Sequence, residues 1–122
     1  MIRRIQAYGR YYSDFMQSLS EAERMKILRS LLLFTNNESI PVHYIKYLKD
    51  GLYEFRVTYI SNEFRIFFCY DGDTLVILFN GVRKKTQKLR NADIEKALKL
   101  KKEYYDSKEE EWVVRCISWI RH

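Results

Sequence analysis

Apolar and polar residues alternate most regularly just after Gly51, where Tyr53, Phe55, Val57 and Tyr59 fall on one side and Glu54, Arg56 and Thr58 on the other. A period of two predicts a strand with one buried face. Two more runs rich in β-branched and aromatic residues follow, set off by Ser61-Asn62 and Asp71-Gly72, both turn signals. The third run, Leu75 to Phe79, is apolar on both faces, which predicts the central strand of an antiparallel meander.

A loop at Ser61-Asn62 sets Thr58 opposite Arg65 and Arg56 opposite Phe67. Arg56 and Arg65 then emerge on one face as diagonal neighbours, about 7–8 Å apart at Cβ. Two guanidinium groups on the less apolar face of a sheet call for an anion. Glu54 on the same face is one candidate, and a phosphate, which suits the planar fork of arginine, is the other. For the second hairpin, a two-residue loop puts Val82 and Lys84 on the face of Arg65. A three-residue loop puts Arg83 and Lys85 there instead, because a one-residue slip exchanges the faces.

Elsewhere the period changes. Residues 2–8 predict a short first strand. Tyr12, Phe15, Met16 and Leu19 form the stripe of a short amphipathic helix. Ser20 with Glu23 reads as a capping box opening a second helix, with Met25, Leu28, Leu31 and Leu32 as its apolar stripe. Ile40-Pro41-Val42 connects to the segment His43 to Lys49, which leads into the meander. Asn91 predicts the start of a last helix that buries Ile94, Ala97, Leu98 and Tyr105. In the tail after Lys108, Trp112, Val113, Cys116, Ile117 and Ile120 fit a helical stripe, with strand left open by the β-branched content, and the tryptophans are expected to dock against that last helix. The whole is α+β: an N-terminal strand and a two-helix hairpin packed on an antiparallel sheet, then a C-terminal helix.

At 122 residues, with 47% hydrophobic and 16% aromatic content, the chain fits one domain with its own core. No apolar run reaches membrane-spanning length and the N-terminus lacks a signal-peptide core, so the expected compartment is the cytoplasm. Cys69 and Cys116 form no metal-ligand spacing, and Cys69 reads as a buried structural thiol. The formal charge of +6 favours polyanionic partners. Its distribution is more telling, since residues 83–90, RKKTQKLR, hold five cations and no acid where the third run leaves the core.

Four segments in this order resemble the RelE superfamily of bacterial toxins, and within it the HigB-type, phage Gp49-like branch. They are Ile45 to Lys49 with Gly51 to Arg56, then Phe64 to Phe67, Val82 to Lys88, and Ile94 to Ala97. The resemblance spans residues 3–106, which sets a toxin domain at 1–107 and leaves 108–122 as a C-terminal extension. The chain departs from the branch at Val82, where an aromatic is usual, at Arg90, near which a proline is usual, and at Glu54, where some relatives carry a functional arginine.

The resemblance implies a ribosome-dependent endoribonuclease that cuts mRNA in the decoding site, neutralised by a helix-turn-helix antitoxin of the HigA type. It implies no cofactor and no metal. Cleavage by the RNA's own 2′-OH needs a base, cations for the charged phosphorane and an acid for the leaving oxygen. The chain has no paired carboxylates on one motif, no GxSxG and no P-loop; it has cations and tyrosines around one sheet face. Arg56, Arg65, Lys84 and Lys85 are the catalytic candidates, a crowded lysine or His43 being the base. Lys46, Tyr47, Lys49, Arg83 and Lys88 are the candidates for gripping RNA, Tyr47 by stacking. Two other readings use the same residues without turnover: a basic nucleic-acid-binding module, and an inactive homologue that only binds its antitoxin.

Overall fold

A computed structural model describes residues 2–84 and 91–121, with side chains through Glu109. In chain order the elements are β1 (Arg4–Ala7), α1 (Tyr11–Gln17), α2 (Glu21–Asn36), a 3-10 turn (Val42–Tyr44), β2 (Ile45–Lys49), β3 (Leu52–Tyr59), β4 (Asn62–Asp71), β5 (Leu75–Lys84) and α3 (Asn91–Arg121). The strands form one sheet in the order β1-β5-β4-β3-β2. The expected meander is there and antiparallel, but β1 joins β5 in parallel, so the sheet is mixed. The central strand is β4, buried from Phe64 to Cys69, and not the third run. β5 earns its two-sided apolar pattern another way, since β1 covers its outer edge and helices cover both its faces.

One face of the sheet packs Phe55, Val57, Phe64, Ile66 and Phe68 against Met16, Leu19, Ile27, Leu31 and Phe34 of the helical hairpin. The other packs Leu52, Phe67, Cys69, Ile77 and Phe79 against Ala97 and Leu100 of α3. α1 lies so close to β5 that the Phe15 ring occupies the place a Cβ would take at Gly81. The capping box is made as expected: Ser20 N–H donates to Glu23 at 2.9 Å and Glu23 N–H to the Ser20 hydroxyl at 3.2 Å. The stripe of α2 differs in phase. Leu31 of the expected stripe faces the core together with Ile27 and Phe34, while Met25, Leu28 and Leu32 are 42%, 47% and 60% exposed. Segment 45–49 is a full edge strand rather than a lead-in.

Three details of register position the site. The first hairpin turns at Ile60-Ser61, so Thr58 pairs with Glu63 and Arg56 directly with Arg65. The pairing differs from expectation by two residues, which leaves every face unchanged. The second hairpin has a three-residue loop, Asp71 pairing with Leu75, but a bulge on β5, where Phe79 and Asn80 both stand opposite Phe67, slips the ladder by one. Beyond it Arg65 pairs with Val82 and Glu63 with Lys84, the facing expected of the shorter loop.

α3 runs unbroken across residue 107 to Arg121, so the tail continues the helix instead of folding back on it. Asp71 fastens α3 to the sheet, accepting from Lys108 at 2.6 Å and from the Tyr104 hydroxyl. Those donors hold its carboxyl below the usual carboxylate range. Among the described residues no helix is long and apolar enough to cross a membrane.

Candidate functional site

β2 begins at Ile45, opposite Phe55, so β3 beyond that point has no partner strand on its outer side. The 3-10 turn stands there instead. Between it, α2 and the β3–β4 hairpin opens a cleft of about 780 Å³, lined from the sheet by Arg56, Thr58, Ile60, Ser61, Glu63, Arg65 and Lys84. Lys26 of α2 and His43 and Tyr44 of the turn complete its wall.

Three cations and two acids make a chain across the sheet floor. Glu54, 1% exposed, accepts from Arg56 Nε at 3.0 Å and lies 3.6 Å from Arg65 Nε. Arg65, almost wholly buried, donates through Nη2 to Glu63 at 2.9 Å. Lys84 Nζ approaches the same Glu63 carboxylate at 3.9 Å. Glu54 is therefore the anion that the paired arginines required, and Glu63 is a second one that sequence reasoning missed. Its signal was its position beside the turn, two pairs beyond Arg56 and Arg65 and so on the same face. The balance on this floor is three positive charges against two negative, and one Glu54 oxygen is buried without a hydrogen-bond partner. Among the described residues no three His, Cys, Asp or Glu side chains converge as a metal site.

The other expected residues divide. Lys46 pairs with Glu54 and so shares the arginine face. A bulge after Tyr47 sets Lys49 opposite Leu52, on that face too, and both lysines are exposed. Tyr47 pairs with Tyr53 and lies on the opposite face, its ring edge-on to Tyr53 at 5.1 Å. Arg83 also faces away. It bonds Glu23 at 3.1 Å and lies over the Phe64 ring, 5.2 Å from its centroid. Glu23, held by the Ser20 backbone N–H and then by Arg83, has its carboxyl below the usual range. The three-residue loop alone would have brought Arg83 to the site; the bulge turns it away and presents Lys84. Lys85 and Lys88 lie outside the described residues.

Cys69 is the structural thiol expected, wholly buried, and burial pushes it up to about 11. Lys26 and His43 reach the cleft from segments outside the four that carry the resemblance. His43 was legible only as the one internal histidine, and Lys26 gave no signal because its neighbours on α2 are equally basic.

No curated protein matches this chain. A family model described as phage derived protein Gp49-like (DUF891) matches residues 14–102, from α1 through the meander and into α3. The match takes in both arginines, Lys84 and the whole wall of the cleft. With the fold and this coverage together, the chain belongs to the phage-derived Gp49-like family, a family of RelE-like toxins.

Proposed function

We propose that the protein is the toxin of a type II toxin–antitoxin pair and cuts mRNA on the ribosome by 2′-OH attack, without a metal. The observation that carries this reading is the conjunction of Arg56, Arg65 and Lys84 on one concave floor. Two guanidinium groups borne on directly opposed strand positions suit two oxygens of one phosphate, and stabilise the charge that develops as the 2′ oxygen adds to phosphorus. A divalent ion would be repelled by three cations whose two acids are already engaged. Lys84 is assigned the proton for the leaving 5′ oxygen. Lys46 and Lys49 are assigned the RNA backbone, with Lys85 and Lys88 assigned from the sequence pattern alone. The antitoxin is expected to be a helix-turn-helix protein, and the compartment the cytoplasm.

One observation favours the non-catalytic reading: the ion pairs of both arginines are what a purely structural network would show. A programmed ribosome separates the two. With all-ribose mRNA the protein should leave a 2′,3′-cyclic phosphate upstream and a 5′-OH downstream. A single 2′-deoxy residue on the 5′ side of the cut should stop cleavage at that linkage alone. Cleavage that persists there, with a 5′-phosphate downstream, overturns the mechanism, and binding without any cut establishes the non-catalytic reading.

A further inference from the structure

His43 is exposed, yet its ring is mounted from behind. It lies on Tyr44 with centroids 4.4 Å apart, Tyr44 stacks on Phe55 at 5.7 Å, and Phe55 on Phe34 at 5.5 Å. Phe55 and Phe34 are wholly buried. An aromatic column rooted in the core under the helical hairpin, on the sheet face opposite Arg56 and Arg65, thus carries an imidazole to the wall of the cleft that the arginine pair also lines.

The other lining groups are poorly placed to accept a proton. Guanidinium groups do not deprotonate in proteins. Glu63 is engaged by Arg65 and Lys84, while Glu54 does not line the cleft and lies buried beneath its floor against Arg56 and Arg65. Imidazole is the side chain that exchanges a proton near neutral pH, and His43 is the imidazole among the residues lining this cleft. The charged groups that face the same cleft are Lys26 from α2, Arg56 from β3, Glu63 and Arg65 from β4, and Lys84 from β5.

We infer that His43 is a further catalytic residue, the general base for the 2′-hydroxyl, an inference that rests on the nuclease reading above. A neutral ring nitrogen takes the hydroxyl proton as O2′ bonds to phosphorus. The P–O5′ bond breaks, and O5′ takes a proton from the Lys84 ammonium. The imidazolium and the neutral amine then return to their starting forms by exchange with water, so no proton is gained or lost over the cycle.

The test is single-turnover cleavage on programmed ribosomes by the full chain and by His43→Gln, across roughly pH 5.5 to 8.5, the range in which imidazole titrates. Wild type should show a rate that falls toward acid pH. His43→Gln should cut about 10²–10⁴-fold more slowly, the range a general base supplies, and lose that acid limb. Its ribosome binding should stay within about twofold of wild type, since the side chain is exposed and replacement costs the fold little. A variant that cuts as fast as wild type overturns the inference alone, as does one that is slowed but keeps the acid limb. Wild type that binds ribosomes without cutting overturns the nuclease reading and this inference with it.

Discussion

The Glu54 carboxylate sits beneath two guanidinium groups with only 1% of its side chain exposed, one oxygen paired and the other without a hydrogen-bond partner. Such burial is costly unless the charges are matched, and the matching here also fixes where Arg56 and Arg65 point. Glu54→Leu should lower unfolding free energy by about 3 kcal/mol, because it strands Arg65 in the interior with Glu63 alone. Glu54→Gln, which keeps an acceptor for Arg56 Nε, should lose less. Urea denaturation of the two variants reads both numbers, and a Leu variant as stable as wild type would show that the network is not holding the floor together. At this scale the sequence was informative about which residues meet and less so about how. Alternation put Glu54, Arg56 and Arg65 on one face, but it carries no distances, and Glu63 came opposite Lys84 only through the β4–β5 register that the bulge sets.

Between elements, the β3–β4 turn shows a cost that propensity alone would have avoided. Ile60 has φ +57°, and the second loop residue, Ser61, is not in the positive region, the φ pattern of a type II′ turn, whose first position favours glycine. A β-branched residue in that region is strained, and Ile60 is 81% exposed, so no packing compensates it. Ile60→Gly should therefore raise stability by about 1 kcal/mol in the same denaturation assay. A loss would mean that the rigid isoleucine stabilises the hairpin by means other than contact. This turn was misread because Ser61-Asn62 looks like a loop and Ile60 looks like strand. The phase of α2 was misread for a related reason. Ile27, Leu31 and Phe34 fit a helical period as well as Met25, Leu28 and Leu32 do, and only the packing partner on the sheet decides between them. Likewise, the bulge that turns Arg83 away falls in a stretch apolar on both sides, where alternation carries no phase.

Across the whole molecule, the order of elements and the basic exit of β5 were legible, because they depend on long runs rather than on single register steps. The function of that charge is a matter of its placement. Of the formal +6, the exposed Lys46 and Lys49 lie on the arginine face at the sheet edge, whereas Arg83 is held by Glu23 on the opposite face. Cations that contact phosphates release condensed counterions, so the logarithm of the binding constant falls linearly with the logarithm of salt, each contact to a single strand adding about 0.7 to the slope. If Lys46 and Lys49 both grip backbone, Lys46→Gln with Lys49→Gln should make the slope for single-stranded RNA shallower by roughly 1.4. Arg83→Gln should leave it unchanged although it removes a charge of the same sign, since overall charge is not what the slope counts. Fluorescence anisotropy at four or more salt concentrations, on all three proteins, reads the slopes directly. An unchanged slope in the double variant removes the edge strand from the RNA path. A shallower slope in Arg83→Gln would instead mean that RNA wraps past β5 onto the face covered by the helical hairpin, and that Glu23 gives up its partner when it does.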